Sequence, residues 1–114
     1  MKNEINRHTV LAALSNHISV SNGVSAVDLV VEITWRSPRS AHCRKLRAEI
    51  EALRREGHHI CGRPSSGYFI ASNEDELNET CRFLVDRAMT TLTQVSKMKK
   101  ASLPDIHGQL GLKI

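Results

Sequence analysis

Aromatic side chains are scarce: Trp35, Tyr68, Phe69 and Phe83 are the whole set. That argues against a stacking platform for single-stranded nucleic acid, which lines up aromatic rings along a groove. No stretch approaches the roughly 20 apolar residues that span a bilayer. The opening residues MKNEINRHTV lack the apolar core of a secretion signal, so a cytoplasmic location is expected. No Gly-rich loop follows a strand-like run, which argues against a doubly wound nucleotide-binding fold. There is no Ser-His-Asp pattern with a nucleophile elbow, no HExxH and no carboxylate pair in a Gly-framed loop. An enzyme is therefore not expected, and no cofactor is implied. Cys43, Cys61 and Cys81 are widely spaced and form no CxxC, and read as reduced, mostly buried thiols. With His42, His58 and His59 they raise a metal or thiol sensor as an alternative. No pair has structural zinc spacing, although His59 and Cys61 share one face of a strand.

What is present is an ordinary globular composition, 40% hydrophobic and 25% charged over 114 residues, the size of one domain. The net charge of +4 is unevenly placed. Residues 35–63 hold eight basic and three acidic side chains, whereas residues 1–34 sum to −1 and residues 64–114 to zero. A concentrated basic segment is the electrostatic footprint of a polyanion binder.

Apolar spacing predicts a first helix over Glu4 to Asn16, with Val10, Leu11, Leu14 and Ile18 on one face. A turn around Asn22-Gly23 leads to Val24, a candidate short strand. Ser25 caps a second helix, with Asp28 in its first turn and Ala26, Leu29, Val30 and Ile33 inward. Trp35 to Ser40 is a connector, and Ser40 is the expected N-cap of a third helix. That helix turns Cys43, Leu46, Ile50 and Leu53 inward and ends at Gly57. Two short strand-like runs around Arg63-Pro64-Ser65-Ser66 predict a hairpin. Alternation puts Tyr68 and Ile70 on one face and Phe69 on the other, one of which closes onto the helices. Ser72 or Asn73 caps a long helix over 74–100, whose stripe is Leu77, Cys81, Leu84, Ala88, Leu92 and Val95. Residues 101–114 read as an irregular tail, a place for a protein partner.

The run Leu46-Arg-Ala-Glu-Ile-Glu-Ala-Leu-Arg-Arg-Glu-Gly-His-His-Ile60, followed by Ser66-Gly-Tyr-Phe-Ile70, resembles a known pattern. It is similar to the winged helix-turn-helix family of the biotin operon repressor's DNA-binding domain, over residues 7–71. The texture also resembles small winged-helix proteins of phages and prophages. The connector from Thr34 to Arg39 is longer than the family's tight turn, and without a ligase domain the chain is not expected to be the whole repressor.

The resemblance implies a mainly α fold with a β-hairpin wing: a three-helix core and two-stranded wing over 1–73, then a long C-terminal helix. It implies double-stranded DNA binding, with the third helix in the major groove. Helical phase puts Arg44, Ala48, Glu51 and Arg55 opposite the core stripe, flanked by Lys45 and Arg47. Arg44 and Lys45 are the candidates for base edges, since recognition helices touch bases with their N-terminal residues. Arg36 and Arg39 precede the helix and suit phosphate contacts, Ser40 and Arg47 complete the DNA-binding candidates on α3, and Arg63 is expected at the wing tip on phosphate. The implied role is a transcriptional regulator or a phage-type replication or recombination accessory. The alternative is a winged-helix protein-interaction adaptor without DNA binding. Ala88, Leu92 and Val95 form a candidate homodimer surface; the other reading folds the long helix back over its own core.

Overall fold

Three capping side chains decide where helices begin in this chain. In a computed structural model, which describes residues 4–100, Asn6 Oδ1 accepts the Thr9 N–H at 2.9 Å and the Thr9 hydroxyl accepts the Asn6 N–H in return. Helix α1 is therefore Arg7–Leu14, shorter than the apolar spacing predicts. Ile18 lies beyond its end, where it pairs with Ile70 instead of extending the helix face. Ser25 Oγ accepts the Asp28 N–H at 3.1 Å and starts α2, Ala26–Thr34. Asn73 Oδ1 accepts the Glu76 N–H at 2.9 Å and starts α4, Glu74–Lys99. Each such bond satisfies a backbone donor that the first helical turn leaves open.

Helix α3, Ser40–Arg55, begins differently. Its N-cap is Arg39, not Ser40, and no side chain caps it. Ser40 is already the first helical residue, because the extended residue ahead of the helix is Arg39, at φ −127° and ψ 158°. Its far end closes as expected: Gly57 has φ +98°, the Gly57 N–H donates to the Arg54 carbonyl and the His58 N–H donates to the Leu53 carbonyl. That paired geometry needs a left-handed residue, which glycine supplies without strain.

The fold is mostly helical with one antiparallel hairpin, β1 (Ile60–Arg63) and β2 (Gly67–Ile70), in the register Ile60↔Ile70 and Cys61↔Phe69. Helices α1, α2 and α3 pack on one another around Val10, Leu14, Leu29, Val30, Leu46 and Ile50. Tyr68 and Ile70 pack against that core. Cys61 and Phe69, on the other side of the hairpin, are buried as well, and Cys61 Sγ lies 3.7 Å from the Glu76 carbonyl. Both faces of the hairpin are therefore covered, where alternation alone predicted one.

Val24 adds an isolated antiparallel bridge to β2. Its N–H donates to the Tyr68 carbonyl at 2.9 Å, and the Tyr68 N–H donates back at 2.7 Å. Gly67, at φ +72°, permits this: a Cβ there would collide with the Val24 carbonyl oxygen. The Glu76 carboxylate ties the same region to α4. It accepts from the Ser72 N–H and hydroxyl at 2.8 and 2.9 Å, and from the Ser19 hydroxyl and Val20 N–H at 2.9 and 3.0 Å. Ser19 itself is held at φ +80°.

The described residues divide into two compact units after Thr80, so the first two turns of α4 belong with the helices and hairpin. In the second unit the covered positions include Met89, Leu92, Thr93 and Ser96, an i, i+3, i+4, i+7 face. The expected stripe is not the covered one: Cys81, Leu84 and Ala88 are exposed, because the covered face is turned from them about the helix axis. Leu92 lies on both. The tail reading for 101–114 falls outside the described residues. No described helix is long and apolar enough to cross a membrane.

Two outcomes test these ties. Gly67→Ala lowers unfolding stability by more than about 1 kcal/mol, read by urea denaturation, since alanine meets both a left-handed backbone and a collision. The backbone N–H of Ser72, then that of Val20 and the two hydroxyls, hold the Glu76 carboxyl down to about 2 from its ordinary 4.5. A depressed carboxylate stabilises the fold above its unfolded value and loses that contribution as pH falls. The wild-type melting temperature therefore falls between pH 4.5 and about 2 more steeply than that of Glu76→Gln, which is less stable at neutral pH.

Candidate nucleic-acid interface

The α2–α3 connector and the first turns of α3 gather the basic side chains. Arg36 and Arg39 leave the connector; on α3, Arg44 stands opposite Leu46, Ile50 and Leu53, and Lys45 and Arg47 stand on its two flanks. All five are exposed. Among the described residues, the side chains of these five make no ion pair and no hydrogen bond; the Arg36 backbone N–H donates to the Thr34 hydroxyl at 3.3 Å. Glu51 makes no ion pair with Arg47 or Arg55 among these residues, so it does not neutralise them by contact. Arg39, Ser40, Arg44 and Arg47 line one shallow groove with Val27 and Pro38.

Other arginines are occupied. Arg7 bridges Glu49 and Glu56 at 3.5 and 2.9 Å, and Arg54 Nε donates to the Ile60 carbonyl at 2.8 Å, joining the end of α3 to β1. Arg63 corrects an expectation. It closes β1 rather than standing free at the hairpin tip, and its guanidinium meets the Glu79 carboxylate at 2.6 Å. The residues of the tip itself are Pro64, Ser65 and Ser66. Glu79 lies in the second turn of α4, and a sequence pattern shows no contact of that separation.

No family model, curated protein or solved structure matches the chain.

The candidate metal ligands are not assembled. Cys61 is buried, while His59 is exposed and precedes the strand. Cys81 is exposed rather than buried. The described residues contain no group of three His, Cys, Asp or Glu side chains able to hold an ion. The dimer candidates also divide: Ala88 is exposed and Val95 half-buried, but Leu92 is only 9% exposed in the single chain. Leu92 is not the open apolar surface that a partner helix requires.

Two features escape the sequence reading. One is the outer face of α2, where Val27, Val31 and Trp35 stand exposed at i, i+4 and i+8. The inward set Ala26, Leu29, Val30 and Ile33 leaves these residues over, and that remainder was the available signal. The other is His17, whose two ring nitrogens face acceptors: Nδ1 the Asn22 carbonyl at 2.8 Å and Nε2 the Glu32 carboxylate at 2.9 Å. Two acceptors require two donors, which only the imidazolium offers. Burial opposes that charge, but the Glu32 and Asn22 hydrogen bonds and the Glu32 charge outweigh it and raise the pKa above 6.5. NMR titration reads His17 above 6.5 and, in Glu32→Gln, back toward it. This stabilisation is complete below pH 6.5 and is lost as pH rises through the folded-state value.

Proposed function

We propose that this is a small cytoplasmic winged helix-turn-helix protein that binds double-stranded DNA, acting as a transcriptional regulator or as a phage-type replication or recombination accessory. The observation that carries the reading is the set Arg36, Arg39, Arg44, Lys45 and Arg47: five exposed cations at one helix start with no described carboxylate partner. Unpaired cations held together repel one another, and a polyanion relieves that repulsion while releasing its own counterions. The uncapped start of α3 adds support, since open backbone N–H groups and the positive end of the helix dipole suit a phosphate. The helix, helix, basic helix, hairpin order of the fold is consistent with the resemblance.

In this reading the N-terminal half of α3 enters the major groove. Arg44 and Lys45 reach base edges, Ala48 lets the helix approach closely, and Arg36, Arg39 and Arg47 meet phosphates. Arg63 has a lesser part than a free tip residue, because Glu79 competes with phosphate for it.

Fluorescence anisotropy with labelled duplex at several salt concentrations tests this. Binding weakens with salt at a log–log slope of about 0.9 per phosphate neutralised. Arg39→Ala lowers that slope by about one unit. Arg44→Ala reduces preference for a selected site by about 1–3 kcal/mol, the worth of a bidentate guanine contact. Arg63→Ala changes affinity less than either. An absence of binding at low salt overturns the reading in favour of the adaptor.

A further inference from the structure

The exposed face of α2 has no part in the contacts just assigned. Trp35, the only tryptophan, is 67% exposed. It ends α2 in the left-handed region at φ +57°, where a bulky residue is strained, and its N–H is pinned to the Val31 carbonyl at 2.8 Å. The indole is thus mounted on a fixed backbone, in solvent, beside Arg36.

Its surroundings tie it to the basic face. Val31, Trp35, Arg36 and Pro38 line one shallow groove, and Pro38 also lines the groove of Arg39, Arg44 and Arg47. No carboxylate lines either groove. An occupant with both negative charge and flat apolar faces suits such a surface. DNA offers both, but in a regular duplex the base faces are hidden by stacking. They become available where a step is opened, at an unpaired nucleotide, a junction or a flexible pyrimidine–purine step.

We propose that Trp35 stacks on a base exposed at an opened step beside the α3 site, so that this protein prefers locally opened DNA to uniform duplex. This rests on the DNA reading above and extends it. The connector, longer than a tight turn, is what carries the indole out to the strand while Arg36 and Arg39 hold the flanking phosphates. An acidic amphipathic peptide is the competing occupant. Pro38 joins the apolar groove to one lined by Arg39, Arg44 and Arg47, so that with Arg36 four cations on the face assigned to DNA border the two grooves, which favours the nucleic acid.

The test uses the full chain and its own single indole. Tryptophan emission and anisotropy are followed on a fully paired duplex and on the same duplex carrying one unpaired nucleotide. The expected result is quenched emission and tighter binding on the opened duplex. Trp35→Ala should lose about 5- to 150-fold there, the equivalent of one base stacked on an aromatic ring at about 1–3 kcal/mol. It should lose little on the paired duplex, and Trp35→Phe should recover most of the loss. Circular dichroism shows that each variant keeps the helical fold. Unchanged emission on bound DNA, or equal losses on both duplexes, overturns the stacking contact while leaving DNA binding in place. So does a Trp35→Ala variant that binds both duplexes normally but loses association with an acidic peptide. Failure of the wild type to bind either duplex at low salt overturns the DNA reading, and this inference with it.

Discussion

The backbone pairing of Val24 with Tyr68 is the constraint on which the rest of the structure hangs. It brings a residue from the α1–α2 link within 2.7 Å of the returning strand, and only a glycine at 67 lets the chains approach that closely. Once β2 is pinned there, its pleat is no longer free. Tyr68 and Ile70 face the three-helix core, and the antiparallel register turns Cys61 and Phe69 toward the start of α4. A lone two-stranded hairpin is marginal in water. Here both of its faces are covered and the outer edge of β2 is bridged by Val24.

Two ionic ties secure the same region. Glu76 is at once the acceptor for the turn ahead of α4 and the acceptor for Ser19 and Val20. One carboxylate therefore couples a helix start to a left-handed kink far away in sequence. His17 does the matching work on the other flank, joining the same loop to α2 through Glu32. In each case the charged form fits its partners, which is why one pKa moves down and the other up.

The remaining charge divides into two populations. Arg7, Arg54 and Arg63 are used inside the structure, joining helix to helix, helix to strand and strand to helix. Arg36, Arg39, Arg44, Lys45 and Arg47 stand apart from these ties. No described ion pair ties their side chains to the rest of the fold. Trp35 stands apart in its own way among the apolar residues, since large hydrophobic side chains are ordinarily covered.

Local rules determined much of the fold without any structure. Asn73, Ser25 and Gly57 act within a turn of themselves, so their cap roles were legible, as were the inward faces of α2 and α3 and both strands of the hairpin. The concentration of charge in residues 35–63 was equally legible, because it is a property of composition. Tertiary structure alone decided what depends on distant partners. Glu79 occupies Arg63, Val24 bridges the edge of β2, and the second hairpin face finds cover. The face of α4 that is covered also departs from its most apolar stripe, and the connector holds its indole outward. Spacing along a helix or strand shows which side chains share a face, but which neighbour reaches that face is set by how the whole chain closes.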